Sequence, residues 1–200
     1  MTVLGISGSP RVGATDFIVN FALEQLKKKA NFETKYFTVA KKKINFCIHC
    51  DYCVKNKKGC VQKDDMNELY PLLESADGIL IGTPIYQGTV SAQIKAVLDR
   101  CRALVAKNSE IFKNKVGAGI AVGGDRMGGQ EIALQTLHNF YIISEMIPVG
   151  GGSWGANLGG TVWSKDRLAE GAREDEEGQR TVKKLIKNFV RMIKKINLLE

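Results

Sequence analysis

The chain has 200 residues, 44% of them hydrophobic and 25% charged, with only four prolines. This is the composition of a globular unit with a full core, and it excludes a disordered, collagenous or disulfide-dependent chain. The formal net charge is +8, but no surface of arginines interleaved with aromatics is visible, so no nucleic-acid partner is expected. No apolar run reaches membrane-spanning length. The first residues, MTVLGISGSP, lack a basic region followed by a long apolar one, so no signal peptide and no membrane association are expected. The setting is read as reducing and cytoplasmic, where clustered cysteines are metal ligands or redox groups more often than disulfides.

Residues 2–7, TVLGIS, read as a buried strand. A loop follows over 8–15, then a helix over 16–29 with Phe17, Ile18, Phe21, Ala22 and Leu26 on one side. FETKYFTV (32–39) alternates as a second strand. The cysteine-bearing segment comes next, and Asp64 or Asp65 caps a helix running to about Ser75, with Pro71 expected to kink it. GILIGTP (78–84) is a third buried strand. A helix over 90–104 follows, with Ile94, Val97, Leu98 and Cys101 on its apolar side. VGAGIAVGG (116–124) is a fourth strand, residues 130–145 a helix, and IPVGGG (147–152) a short fifth strand. Six glycines in the eleven residues 150–160 read as a flexible loop, and the acidic run 174–177 opens a last amphipathic helix. Alternation of strands and helices calls for a parallel sheet covered on both faces. The expected architecture is one α/β domain over 1–200, a flavodoxin-like three-layer sandwich. Its five-stranded parallel sheet has the order 2-1-3-4-5, with a cysteine-rich insertion after strand 2.

Ligands of such sheets sit beyond the carboxyl ends of the strands, at the switch point between strands one and three. Three loops fall there. In SGSPRVGAT (7–15), glycines admit an anion, Ser9 and Thr15 offer hydroxyls and Arg11 a charge, and the next helix points its positive end at the site. Ala14 stands where a Walker A loop needs lysine, and no G-x-G-x-x-G is present, so a mononucleotide phosphate is expected. In TPIYQGTVS (83–91), Pro84 stiffens the loop and Ile85, Tyr86 and Gln87 suit the flank of a flat ring. GGDRMGGQE (123–131) brings four glycines and Arg126. One loop suited to phosphate and two to a planar ring point to flavin mononucleotide (FMN).

Four of the five cysteines lie in CIHCDYCVKNKKGC, spaced C-x2-C-x2-C-x6-C. Three thiolates two residues apart can wrap one corner of a cubane, and Cys60 closes it after a glycine-containing loop, so Cys47, Cys50, Cys53 and Cys60 are read as ligands of a [4Fe–4S] cluster. Zinc, or an unmetallated redox-thiol group, stands as the alternative. His49 is read as a local packing residue and Cys101 as a buried core residue. Residues 41–63 hold seven lysines against Asp51, a net +6, which suits a net-negative cluster and an acidic electron carrier.

GSPRVGAT, GTPIYQGTVSAQIKAVLDR and AVGGDRMGGQE resemble the NAD(P)H-dependent FMN reductase superfamily, and the compact cysteine group resembles its iron–sulfur flavoprotein branch. The resemblance covers about residues 1–150. It implies bound FMN, a [4Fe–4S] cluster and a homodimer or homotetramer. By motif, Ser9, Arg11, Val12, Gly13, Ala14 and Thr15 hold the phosphate. Pro84, Ile85, Tyr86, Gln87 and Gly88, with Gly123, Gly124, Asp125, Arg126, Gly128 and Gly129, hold the ring. The family often has a polar residue where this chain has Ala14, leaving only a backbone N–H there. The expected function is a redox flavoprotein passing electrons from a one-electron donor such as ferredoxin through the cluster to FMN and on to oxygen, peroxide or a quinone. Two alternatives stand beside it: an NAD(P)H-dependent FMN or quinone reductase whose cysteines bind zinc or no metal, and a non-enzymatic zinc-bound redox sensor. No side chain stands out as a general acid or base.

Overall fold

The computed structural model describes residues 1–155 and 157–198. The elements run β1 (Thr2–Ser7), α1 (Ala14–Lys27), β2 (Glu33–Thr38), α2 (Tyr52–Asn56), α3 (Met66–Ser75), β3 (Gly78–Tyr86), β4 (Thr89–Val90) and α4 (Ala92–Arg100). They continue with α5 (Arg102–Lys107), β5 (Val116–Gly123), α6 (Gln130–Ile143), β6 (Ile147–Val149), β7 (Gly160–Trp163), α7 (Leu168–Glu174) and α8 (Glu176–Ile196). Among the described residues, no helix is long and apolar enough to cross a membrane.

The main path of the sheet is β2-β1-β3-β5-β6, all parallel, which is the flavodoxin-like order expected from the sequence. The central strands β1, β3 and β5 are buried because helices cover both faces, so their side chains of opposite parity are apolar alike, whereas the edge strand β2 is largely exposed. On one face Leu69 and Leu73 of α3, Ile94 and Val97 of α4, and Leu134 and Leu137 of α6 pack with Leu4, Ile6, Ile79 and Ile81. On the other, Ile18, Ala22 and Leu26 of α1 and Leu185, Ile186 and Phe189 of α8 pack with Val3, Leu80, Ala118 and Ile120. Each of the larger side chains, valine, leucine, isoleucine or phenylalanine, contributes about 1.5–3 kcal/mol by leaving water.

Two strands were not expected from the sequence. β4 is a two-residue return paired antiparallel with the end of β3. β7 lies on the same edge of β5 as β6, but higher: β6 pairs with Val116–Ala118 and β7 with Ile120–Gly123. The fifth position of the sheet is thus filled by two short pieces, and the glycine-rich segment loops out between them, closed by a Gly152–Asn157 bridge. The expected helix over 90–104 is broken at Cys101, whose N–H is shared between the Val97 and Leu98 carbonyls. Cys101 is buried, and burial pushes its thiol up to about 12. α3 runs on through Pro71.

Candidate functional site

The loops after β1, β3 and β5 meet at the carboxyl edge of the sheet. The first is set by short bonds to the sheet: the Gly8 N–H donates to Gly82 O (2.7 Å) and the Ser91 hydroxyl to Gly8 O (2.6 Å). The Ser9 hydroxyl turns the chain by donating to Arg11 O (2.6 Å). Gly13 caps α1 without a side chain, so the N–H groups of Ala14 and Thr15 in the first turn have neither an intrahelical acceptor nor a side-chain cap. Beneath the loop, the buried Asp16 carboxylate accepts the Gly13 N–H (3.1 Å), the Tyr36 hydroxyl (2.5 Å) and the Thr38 hydroxyl (3.0 Å). Burial, and then this carboxylate, push Tyr36 up to about 12.

The second and third loops touch each other. Gly129 has φ +104°, and a Cβ there would lie 2.5 Å from Gly88 O, so only glycine admits this approach. Gln130 braces the third loop from within, accepting the Gly128 N–H (2.7 Å) and donating to Asp125 O (2.8 Å).

Between the loops lies a cleft of about 380 Å³. It brings together Ser9, Arg11, Gly13, Ala14 and Thr15 from the first loop, Pro84 to Gly88 from the second, and Gly123, Gly124, Asp125 and Gly128 from the third. Three of the residues singled out in the sequence stand outside it. Val12 points to solvent and borders an outer groove. Gly129 is spent on the contact with Gly88. Arg126 pairs with the buried Asp175 carboxylate, which also accepts the Trp163 N–H (2.7 Å) and the Gly178 N–H (3.1 Å) at the start of α8. Its guanidinium also lies 5.3 Å from the Trp163 ring centre, so Arg126 ties the third loop to β7 and α8. Neither Trp154 nor Trp163 lines the cleft.

Sequence reasoning missed the fourth wall, formed by Ser164, Asp166 and Leu168 in the strap after β7. Ser164 is held by its N–H (2.8 Å) and hydroxyl (3.0 Å), both donated to Gly123 O. Lys165, Asp166 and Leu168 all have φ of 52°, a left-handed conformation that side chains disfavour. In the same strap Lys165 and Arg167 form surface ion pairs with Glu174. Three non-glycine residues in this region within four positions mark stored strain of the kind found at ligand clamps.

The four cysteines of the 47–60 loop are free; Cys47, Cys53 and Cys60 are half-buried and Cys50 is exposed. None lines the cleft. Among the described residues, no three His, Cys, Asp or Glu side chains converge as a metal site. Left-handed residues His49, Asp51, Lys57 and Gly59 turn the chain repeatedly around α2. The two feet of the loop are joined by Arg100, which sequence reasoning also missed. Its Nη1 donates to Asp64 Oδ2 (2.8 Å) and Asn45 O (2.9 Å), and its Nη2 to Asp64 Oδ1 (3.1 Å). Asp64 also accepts the Asn45 N–H (3.0 Å), and Asp65 the Lys43 N–H (2.7 Å). Burial works to raise the Asp64 carboxyl, but the Arg100 fork and the backbone N–H groups outweigh it and hold it below its ordinary value. On the outer side Arg102 pairs with Asp51 (2.6 Å), whose carboxyl is held down by that bond.

A parallel sheet with its cleft at the switch point and an uncapped helix N-terminus in the wall is the arrangement of a flavodoxin-like protein. The chain belongs to the NADPH-dependent FMN reductase family, whose pattern matches residues 1–161, and it is a flavin-dependent oxidoreductase. It is 60% identical to an iron–sulfur flavoprotein of Methanocaldococcus jannaschii over 97% of this chain and 98% of the relative. It is 57% identical to an iron–sulfur flavoprotein of Archaeoglobus fulgidus over the same shares of the two chains. Among solved structures, a WrbA-like flavodoxin from Agrobacterium tumefaciens shares the fold at a TM-score of 0.65 and 16% identity, covering 97% of each chain.

Proposed function

We propose that the protein is a redox flavoprotein that holds FMN in the cleft and a [4Fe–4S] cluster on Cys47, Cys50, Cys53 and Cys60. It would take electrons from an acidic one-electron donor such as ferredoxin and deliver them through the flavin to a small acceptor, working as one domain in the cytoplasm. A cluster supplies single-electron transfer and a flavin accepts one electron or two, so the pair couples one-electron carriers to two-electron chemistry.

The observation that carries the flavin half is the cleft itself. The free N–H groups of Ala14 and Thr15, with Arg11 beside them, suit a phosphate. Pro84 to Gly88 and Gly123 to Gly128 form two walls with little side-chain bulk on the third-loop side, which suits a flat ring. Gly129 and Arg126 brace the third-loop wall from outside, and Val12 is proposed to contribute its backbone N–H from the first loop. The cluster half rests on the donor set: four free thiols within fourteen residues on a loop whose feet are fixed. Both curated relatives described above carry the words iron–sulfur flavoprotein in their names. Since no thiol lines the cleft of its own chain, a homodimer or homotetramer in which electrons cross between copies is part of the proposal.

The test is the absorption spectrum of anaerobically purified protein with flavin, iron, sulfide and zinc assays. Flavin bands over a broad iron–sulfur shoulder, with iron and sulfide in the ratio of one [4Fe–4S] cluster per flavin, are expected. Flavin without iron, together with fast NADPH oxidation, would replace this reading by a nicotinamide-dependent reductase, which the family description favours. Zinc and no flavin would overturn both.

A further inference from the structure

The charges that line the cleft are divided between its sides. Arg11 stands on the first loop, and Asp125 and Asp166 stand on the third loop and the strap. Tyr86 is the one other titratable side chain among the lining residues. Cations neighbour both aspartates in sequence: Arg126 follows Asp125, and Lys165 and Arg167 flank Asp166. Each of these cations is drawn to a carboxylate that does not line the cleft. Arg126 pairs with Asp175, and Lys165 (3.2 Å) and Arg167 pair with Glu174. Among the described residues, no cation pairs with Asp125 or Asp166. The third-loop side of the cleft therefore carries negative charge without a partner.

Asp166 is held where the strap meets the third loop. Its carboxylate lies over Gly124: a Cβ on Gly124 would come 2.5 Å from Asp166 Oδ1. The missing side chain leaves room for it. Two residues earlier, the Ser164 N–H donates to Gly123 O (2.8 Å), so strap and third loop stay together. Asp166 has φ 52°, a conformation that Asp and Asn tolerate better than most residues.

The oxidised flavin ring is neutral. Two electrons and one proton give a reduced ring with one negative charge, and a second proton makes it neutral again. A fixed carboxylate beside the ring repels the charged form and leaves the neutral forms nearly unaffected. We propose that Asp166 sets the redox balance of the bound flavin: its unpaired carboxylate disfavours the anionic reduced ring, so the cleft holds oxidised FMN more tightly than reduced FMN. The inference rests on the reading that FMN fills this cleft with its ring against the third loop, and it does not depend on the cysteines. Its consequence is a strongly reducing flavin. The two electrons come singly from the one-electron donor proposed above, and the low potential drives them on to the small acceptor.

The test is the midpoint potential of the bound flavin in anaerobic holoprotein, measured by spectroelectrochemistry at mildly alkaline pH and low salt. Wild type is compared with Asp166→Asn, which removes the charge but suits the same backbone, and with Asp166→Glu, which keeps the charge. Asp166 is exposed, so solvent screens it. Asp166→Asn is expected to favour reduced over oxidised FMN by about fivefold, the upper end for an exposed charge, or roughly 20 mV for a two-electron couple. Asp166→Glu is expected to stay near wild type, and the gap between Asn and wild type to shrink at high salt. A potential that is unchanged or lower in Asp166→Asn, or a rise that Asp166→Glu shares, would overturn the inference. So would an equal loss of affinity for both forms of FMN, which would make Asp166 a holding residue only. Should Asp166→Asn fail to fold, the wild type decides through the pH at which the reduced ring loses its second proton. That pH is expected to lie above the value for free FMN, and an equal or lower value overturns the inference. Wild-type protein that binds no FMN sinks the flavin reading and this inference together. FMN bound at a potential that Asp166→Asn leaves in place sinks this inference alone.

Discussion

Asp64→Ala separates a buried ion pair from the exposed ones around it. The Arg100–Asp64 pair has side chains 1% and 0% exposed at 2.8 Å. Lys95–Asp99, on the same helix, is closer at 2.6 Å but 53% and 45% exposed. If distance decided, the second pair would matter more. Burial decides instead, because removing Asp64 leaves the Arg100 charge in the interior and strips the Asn45 and Met66 N–H groups of their acceptor. Breaking a buried pair costs roughly 3–5 kcal/mol, about a fifth or more of the stability of an ordinary domain. At about 2–4 °C per kcal/mol for a chain of this length, the melting temperature should fall by roughly 6–20 °C. Asp99→Ala should stay within ~0.5 kcal/mol. Urea unfolding of the metal-free, flavin-free protein, followed by circular dichroism, measures both. An Asp64→Ala loss under about 1 kcal/mol, or equal losses in the two variants, would refute the reasoning.

The same carboxylate sets a pH dependence. Its folded value is held below the ordinary one, so its contribution is present at neutral pH and is lost as pH falls below about 4 through the folded value. Urea midpoints between pH 3 and 7 should therefore fall more steeply on the acid side in wild type than in Asp64→Ala. Arg11→Gln should weaken FMN roughly tenfold to a hundredfold by calorimetry, the range of a lost charged hydrogen bond, and leave riboflavin, which lacks the phosphate, nearly unchanged. Equal losses for both ligands would place the phosphate elsewhere. Replacing Lys55, Lys57 and Lys58 together with glutamine should slow reduction by ferredoxin at low salt and flatten its salt dependence. An unchanged stopped-flow rate would leave these lysines as a solvated loop.

The three glycine-bearing segments were legible because their chemistry is local: Gly8 to Thr15 follows a buried strand, Pro84 to Gly88 and Gly123 to Gly129 run out of the ends of two more, and all three carry turn residues. The strap was not legible. It uses Lys165, Asp166 and Leu168 in a conformation that their sequence does not announce, and it is joined to Glu174 and to Gly123 of a distant strand. β7 was hidden for a related reason, since a strand of four residues beside six glycines has no period of its own, and only pairing with β5 makes it a strand. Arg126 looked like a ligand residue because a charge follows two glycines. Its partner Asp175 lies 49 residues on and is visible only when folded. Arg100 closes the last residue of a regular helix, and nothing nearby in sequence points to Asn45 and Asp64. In each case the missed feature is a contact between distant segments, which local pattern does not carry.

The most direct measurement is anaerobic stopped-flow reduction of the bound flavin by reduced ferredoxin, in wild type and in Cys50→Ser, the variant at the exposed thiol. Bleaching of the flavin in wild type is expected, with a loss of about tenfold or more in the variant and no change in FMN affinity. Flavin in Cys50→Ser that ferredoxin reduces at the wild-type rate would show that electrons reach the cleft without the cysteine loop.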